Sequence, residues 1–195
     1  MSRPLGLEDI EDLRTYERGR DAYRRHIIEL KQRRRVGVGP FVTLLFENRD
    51  TVRFQVQEMA RAEKMMSDEQ VQGELDIYNA LLPSPGELSA TLFIELTEEA
   101  ALREWLPKLV GVERSVELRF GAGAPVGAVP EAAHDEALTR PTMTASVHYI
   151  RFPFTPAQLE EFAPPVIVAV THPDYRYETT LDDATVKELW TDLDQ

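Results

Sequence analysis

Residues 41–63, FVTLLFENRDTVRFQVQEMARAE, decide how this chain folds. Apolar side chains recur at every second position on both sides of Asn48–Asp50, the spacing of strands with one buried face. The positions are Val42, Leu44, Phe46, Val52, Phe54 and Val56. Asn and Asp tolerate the backbone of a short hairpin turn. The pattern therefore predicts two antiparallel strands joined at Asn48–Asp50 and followed without a break by a helix.

The polar side of this predicted hairpin is the first candidate site. Glutamine amides lie there between ionic groups of both signs, whereas lysine and glutamate dominate a merely solvated face. Such a set could orient a polar ligand, or it could be a polar seam that fixes the register of helix on sheet. The candidate residues are Glu47, Arg53, Gln55, Gln57, Glu58 and Arg61.

Charge is unevenly spread along the 195 residues, whose formal net charge is -12. Ten basic and seven acidic residues occur up to Arg35, against twelve basic and twenty-seven acidic residues beyond it. An acidic body argues against nucleic-acid binding, which depends on neutralising phosphates. We therefore expect no nucleic-acid partner, and a body suited to a cationic partner or simply to solubility.

Several classes of site and location are excluded by what the sequence lacks. The chain has no cysteine, which excludes disulfides, thiolate metal sites and cysteine nucleophiles. Residues 1–13 contain no apolar core of the signal-peptide type, and no apolar run approaches the roughly twenty residues that span a bilayer. We expect a cytoplasmic protein without a membrane partner.

The remaining patterns predict one α+β domain over residues 1–195. Residues 1–35 are predicted as a helical extension whose basic end matches the helix dipole. Residues 121–141, rich in Gly, Ala and Pro, are predicted as a surface loop. Capping boxes start helices at Ser67 and Thr155. We predict an antiparallel or mixed sheet of about six or seven strands, with helices on one face and the N-terminal helix packed across it or against a second subunit.

Two strand–helix–strand patterns, in residues 88–120 and 144–170, have the same order and similar lengths. Each begins with alternating apolar residues, continues through a capped helix and ends in a second apolar strand. An internal duplication would explain this similarity, and it predicts equivalent connections in both halves of the domain.

A metal centre is the second candidate site. His148 and His172 lie in or at the end of predicted strands, and with Glu95 or Glu58 they could form a mixed nitrogen and oxygen site. Such a site would suit iron, manganese or zinc. The chain has no His-x-x-x-His or Glu-x-x-His spacing, so these ligands would have to converge from remote segments.

Four stretches resemble a bacterial family catalogued as domain of unknown function 3501. They are RRRVGVGPFVTLLFENRDTVRFQVQEMARAE, ELDIYNALLPSPGELSATLFIEL, ASVHYIRF and VTHPDY, and the similarity spans nearly the whole chain. The resemblance adds Tyr78 and Asn79 to the candidate surface. Members are often encoded beside rubrerythrin-like and iron–sulfur proteins, which implies an accessory role in peroxide or iron handling.

The sequence thus leaves two main functions open. The first is a cytoplasmic accessory or binding protein that assists a rubrerythrin-like or iron–sulfur partner through the polar face. The second is a metal-dependent enzyme or oxygen-handling protein that uses His148, His172 and carboxylates. A third, a metal-free small-molecule enzyme, requires a closed pocket lined by Gln55, Gln57, Glu58 and Tyr78. Whether the chain forms a homodimer is left open.

Overall fold

The computed structural model describes residues 3–132, 139–140 and 142–194. Its six described helices are α1 (Leu13–Gln32), α2 (Arg49–Ala62), α3 (Asp68–Tyr78), α4 (Glu99–Trp105), α5 (Pro156–Glu161) and α6 (Asp183–Leu193). Its described strands are β1 (Arg35–Val38), β2 (Val42–Glu47), β3 (Glu87–Ile94), β4 (Val116–Arg119), β5 (Val126–Gly127), β6 (Val129–Pro130), β7 (Thr139–Arg140), β8 (Met143–Thr144), β9 (Val147–Pro153), β10 (Ile167–His172) and β11 (Tyr175–Thr180).

The strands form two larger antiparallel sheets, so the α+β class is confirmed. The first sheet has the order β1-β2-β3-β9-β6 and the second has the order β11-β10-β4-β5, while β7 and β8 pair separately. Apolar side chains of both sheets form one core cluster, which includes Leu44, Leu92, Leu118 and Val168. The two sheets therefore pack as a sandwich around the main core.

The predicted second strand at residues 52–57 is wrong, because these residues belong to α2. Asn48 starts this helix: its side chain accepts from the Thr51 backbone N–H, and its own N–H donates to the Thr51 hydroxyl. Val52, Val56 and Ala60 are buried at spacings of four. Positions 52 and 56 fit a strand and a helix equally well, and the capping box decides for the helix.

The hairpin lies one segment earlier, between β1 and β2, with Arg35 opposite Leu45 and Val38 opposite Val42. Gly39 allows the turn, because its φ of +76° disfavours other residues and a Cβ there would lie 2.6 Å from the Tyr175 hydroxyl. That hydroxyl donates to the Val38 carbonyl at 2.8 Å. A side chain of the second sheet thus closes the turn of the first.

Residues 121–141, predicted as a surface loop, carry the strands that join the two sheets. β5 pairs with β4 in the second sheet, and β6 follows directly and pairs with β9 in the first. Val126 and Ala128 are buried in the main core. The prediction missed these strands because each has only two residues, too few to show alternation. Residues 133–138 and 141 lie outside the described residues.

The topology is the one that an internal duplication predicts. One half runs β2, β3, α4, β4, β5 and the other runs β6, β9, α5, β10, β11, with α2 and α3 inserted between β2 and β3. In each half two strands enter the first sheet, a helix crosses over, and two strands enter the second. The central strands pair antiparallel, β3 with β9 and β4 with β10, as a two-fold relation requires.

A helical layer covers the other face of the first sheet. Side chains of α2, α3 and the N-terminal segment form a second apolar cluster. Its buried members are Leu5, Val52, Val56, Leu75, Leu81 and Leu82. α1 lies against α2, with Tyr16 and Ile27 buried. No helix in the described part of the chain is long and apolar enough to cross a membrane. This helical layer contains most of the residues that the sequence singled out.

Candidate functional site

One face of α2 carries polar side chains at a regular spacing of four residues: Arg49, Arg53, Gln57 and Arg61. Residues four apart are neighbours on a helix surface, so these side chains form a continuous row. Its first three members face the N-terminal segment of the same chain, and Arg61 faces α1. We call residues 3–11 of that segment the strap.

Two side-chain amides hold the strap by its backbone. The Gln57 amide accepts from the Glu11 N–H and donates to the Glu11 carbonyl, both at 2.9 Å. Asn79, which follows α3, makes the same pair of bonds with Leu5, at 2.8 and 3.0 Å. Each amide thus pairs with N–H and C=O groups of the strap as a neighbouring strand would.

Two arginines of α2 add contacts between these amide pairs. Arg49 donates to the Arg3 carbonyl at 3.1 Å and to the Asp9 carboxylate at 2.7 Å. Arg53 donates to the Asp9 carbonyl at 2.7 Å, and its guanidinium lies over the Tyr23 ring. The hydrogen bond from Arg49 is the main cause of a lowered pKa of Asp9. The strap is therefore held by charge as well as by its backbone.

Leu5 is the apolar anchor of the strap. Its side chain is 3% exposed and belongs to the second apolar cluster. Leu7 and Ile10 are partly buried and pack at the edge of the same cluster. Burying a leucine side chain contributes about 2 kcal/mol. The strap thus places one deep and two shallow apolar side chains against α2 and α3.

The next polar residues of α2 bind α1. Glu58 accepts from the Tyr16 hydroxyl at 2.7 Å and from two nitrogens of Arg20 at 2.7 and 2.8 Å. The hydrogen bond from Arg20 is the largest cause of a lowered pKa of Glu58. Burial, with Glu58 nearby, raises the pKa of Tyr16. Arg61 pairs with Glu17 at 2.8 Å.

Glu47 is a buried carboxylate between the first sheet and α2, and it is 2% exposed. It accepts from the hydroxyls of Thr51 and Thr91, the latter at 2.6 Å, and from the Gln55 amide at 3.1 Å. Among the described residues no cation forms an ion pair with it. Three neutral donors satisfy this carboxylate and fasten the start of α2 to β2 and β3.

The predicted candidate surface is thus brought together in the helical layer, with its polar groups bonded within the chain. Arg53, Gln57 and Asn79 hold the strap, Glu58 and Arg61 hold α1, and Glu47 bonds Gln55. Tyr78 packs against the second apolar cluster, and burial raises its pKa. As a ligand or partner surface the set stays a prediction. In the structure, Arg53, Gln57 and Asn79 bind the chain's own N-terminal segment.

The three predicted metal ligands are not brought together. His148 Nε2 lies 2.7 Å from the Thr144 hydroxyl and 3.0 Å from the Ala145 carbonyl. Glu95 pairs with Arg35 and accepts from the Thr43 hydroxyl at 2.6 Å. Across the described ranges, no group of three or more histidine, aspartate or glutamate side chains is placed to hold a metal ion.

His172 makes hydrogen bonds through both nitrogens of its ring. Its Nδ1 accepts from the Asp174 N–H at 3.2 Å, and its Nε2 lies 3.1 Å from the Val110 carbonyl. Because Nδ1 accepts, the ring proton must be on Nε2, which donates to Val110. Both ring nitrogens are therefore used in fastening the end of β10 to the segment before β4.

A buried ion pair was missed by the sequence analysis. Arg34 is fully buried, pairs with Asp192 of α6, lies 3.4 Å from Glu188 and donates to the Phe46 carbonyl at 3.1 Å. Burial raises the pKa of Asp192 to about 6, although Arg34 acts in the opposite direction. The alternation of β1 extended back from Val36 places Arg34 on the buried face, which is the signal that could have revealed it.

The outer face of α1 is basic. Residues 13–32, the span of α1, contain six basic and three acidic residues, a formal net charge of +3, which leaves -15 on the rest of the chain. Four arginines of α1 are exposed and form no ion pair with any described residue. They are Arg14, Arg18, Arg24 and Arg25. Composition showed the basic excess, and the fold shows which cations remain free at the surface.

Comparison with known proteins gives a family but no activity. No curated protein matches the chain. A crystal structure of a novel protein of unknown function from Burkholderia pseudomallei matches with a TM-score of 0.89 and 34% sequence identity. The match covers 98% of this chain and 100% of that one. The model of the family described as protein of unknown function (DUF3501) matches residues 4–193, so the chain belongs to the DUF3501 family.

Proposed function

We propose that this chain is an accessory protein that binds an acidic protein partner through the outer face of α1. The observation that carries the proposal is the charge contrast between α1, residues 13–32, at +3, and the remaining chain, at -15. Like charges concentrated on one face steer an oppositely charged partner and fix its orientation. An acidic partner would be repelled by the body and attracted by this helix alone.

The composition of the face suits a protein interface. Arg14, Arg18 and Arg25 lie near the line opposite the buried residues of α1, at spacings of four and seven. Ile28 follows on the same side and is 40% exposed. Arginine beside an exposed apolar residue is typical of binding hot spots. The acidic Asp21 and Glu29 lie beside these arginines on the same side and would help to set the register of the partner.

The family resemblance suggests which partner to test first. A rubrerythrin-like di-iron protein or an iron–sulfur protein would place the chain in peroxide or iron handling in the cytoplasm. The metal-dependent alternative has no comparable support, because Glu95, His148 and His172 bond to separate partners. A second copy of this chain, with its acidic body, is the competing occupant of the face.

The test is a titration of an acidic rubrerythrin-like protein against the chain by calorimetry at low and high salt. The Arg18→Glu, Arg25→Glu double variant is expected to weaken binding at least about tenfold, since it reverses two central charges. The matched control is Arg176→Glu, Lys187→Glu, which makes the same charge change at exposed positions of β11 and α6. Wild-type binding should weaken as salt screens the attraction.

Two results would overturn the proposal. One is a partner affinity that both double variants lower equally, which would reflect net charge and not this face. The other is a homodimer, measured by sedimentation, that only Arg18→Glu, Arg25→Glu dissociates. That outcome would assign the outer face of α1 to a second copy.

A further inference from the structure

We propose that Arg49, Arg53 and Gln57 of the polar row, with Asn79, form a peptide-binding site in which the strap is the resident, exchangeable ligand. The ligand class is a peptide with a leucine followed four residues later by an acidic residue, as in Leu5 and Asp9, that can form the helical turn of the strap at Leu7–Asp9. This site is separate from the outer face of α1, so it does not depend on the function proposed above.

The first support is that the site recognises backbone. Six hydrogen bonds run from four side chains to the strap backbone: two each from Gln57 and Asn79, and one each from Arg49 and Arg53. Side chains that pair with main-chain groups accept any sequence that can adopt the backbone of the strap, as strand-addition sites accept any sequence that can form a strand. The geometry is that of a receptor for a peptide.

The second support is the way the strap is attached. Among the described residues, strap backbone groups bond to other backbone groups only within the strap, from Asp9 to Gly6 and from Ile10 to Leu7. The strap thus belongs to neither sheet, and its only regular structure is the short helix Leu7–Asp9. A segment held by side chains alone can leave without breaking a sheet or a helix of the domain.

The third support is the selectivity built into the site. Leu5 fills a position in the second apolar cluster, and the Asp9 carboxylate meets Arg49. These two contacts are side-chain specific, while the six backbone contacts are not. An incoming peptide therefore needs an aliphatic residue and a carboxylate four positions apart, and little else.

The experiment uses a fluorescent peptide with the sequence of residues 3–11, RPLGLEDIE, and the full chain. A tethered strap has an effective concentration of about millimolar, so the peptide should bind the wild-type chain weakly. Leu5→Asp in the chain expels the strap by putting a charge into the apolar cluster. We expect the peptide to bind this variant at least about tenfold more tightly than wild type, because more of the site is open.

Matched variants identify the site. Adding Gln57→Ala or Asn79→Ala to the Leu5→Asp chain should weaken peptide binding at least about tenfold, since each removes two hydrogen bonds. Adding Gln72→Ala, which removes an exposed amide that bonds Asp76, should leave it unchanged. Peptides carrying alanine for the leucine or asparagine for the aspartate should bind more weakly than RPLGLEDIE.

Several outcomes would overturn the inference. They are equal binding to the wild-type and Leu5→Asp chains, no binding to a folded Leu5→Asp chain, or no effect of Gln57→Ala and Asn79→Ala. If Leu5→Asp does not fold, amide hydrogen exchange in the wild-type chain tests whether the strap can be displaced. Excess peptide should accelerate exchange of the Leu5 and Glu11 amides, and unchanged rates would refute an exchangeable strap.

Discussion

Two arginine–carboxylate pairs hold α1, one near its beginning and one just beyond its end, and they differ in burial more than in chemistry. Arg20 and Glu58 have side chains that are 22% and 26% exposed, whereas those of Arg34 and Asp192 are 0% and 4% exposed. The pKa of Glu58 is lowered chiefly by its arginine, while burial raises the pKa of Asp192 to about 6.

The difference shows that access to water decides whether the pKa of an ion-paired carboxylate in this fold is lowered or raised. At Glu58 the charged carboxylate keeps some hydration, so attraction to Arg20 dominates. At Asp192 the loss of hydration outweighs the attraction of Arg34. The first pair adds strength to a helix contact, and the second makes the contact between the end of α1 and α6 sensitive to pH.

The largest effect is expected from Arg34→Met. The change keeps most of the side-chain volume but leaves Asp192 buried without its cation and the Phe46 carbonyl without its donor. Breaking a buried pair by removing one partner costs about 3–5 kcal/mol. Urea unfolding at neutral pH measures the loss. The matched variant Arg20→Met should cost much less, and equal losses would show that burial is not the deciding factor.

A pH series sharpens the same comparison. Asp192 keeps its proton up to about pH 6 in the folded chain but loses it near 3.8 when unfolded. The stability that comes from this raised pKa is therefore present below about pH 4 and is lost as the pH rises through 6. Relative to Asp192→Asn, the wild-type chain should lose about 3 kcal/mol over this range.

Glu58→Gln should show the opposite sign. The pKa of Glu58 is lowered in the folded chain, so its stabilising effect is present above 4.5, its ordinary value, and is lost as the pH falls. Unfolding curves of both variants and the wild-type chain at matched pH values measure both slopes. Slopes of the same sign would contradict the assigned directions.

Local patterns in the sequence predicted most elements of this fold. The capping boxes at Ser67 and Thr155 start α3 and α5 as expected, and alternation located β3 and β4. The predicted extended segment at residues 144–152 and the apolar run at residues 166–170 correspond to β9 and β10. The pattern failed at residues 52–57, where apolar residues four apart satisfy both a strand and a helix. The signal that decided was Asn48, whose interpretation as a turn residue hid its role as a helix cap.

The site was less predictable, because its contacts join residues far apart in sequence. Gln57 bonds Glu11 over 46 residues, and Arg34 meets Asp192 over 158. Gln57 stands out in the sequence as an unusual amide among charged residues. Its partner is a backbone group, and backbone groups are the same at every residue, so nothing in the sequence could indicate Glu11. The polar row is visible only once residues 49–61 are known to be helical.

Tyr16→Phe tests the more exposed pair, Arg20 and Glu58, by removing a single oxygen atom that contacts it. The change removes the hydroxyl that donates to Glu58 and leaves Arg20 and the ring packing in place. A hydrogen bond to a charged group contributes about 1.5–3 kcal/mol, and we expect a loss at the lower end of that range in urea unfolding. A loss as large as that of Arg34→Met would mean that Tyr16, and not Arg20, carries this contact.

The smallest effect is expected from Arg33→Met, the neighbour of the buried arginine. Arg33 and Arg34 both contact Glu188, but the Arg33 side chain is 48% exposed and lies 3.2 Å from that carboxylate. An exposed pair contributes less than about 1 kcal/mol and is screened by salt, so unfolding in high salt should remove even this difference. If Arg33→Met instead destabilises as much as Arg34→Met, Glu188 anchors the end of α1. Asp192 would then contribute little to the contact between Arg34 and α6. Its raised pKa would reflect its burial alone.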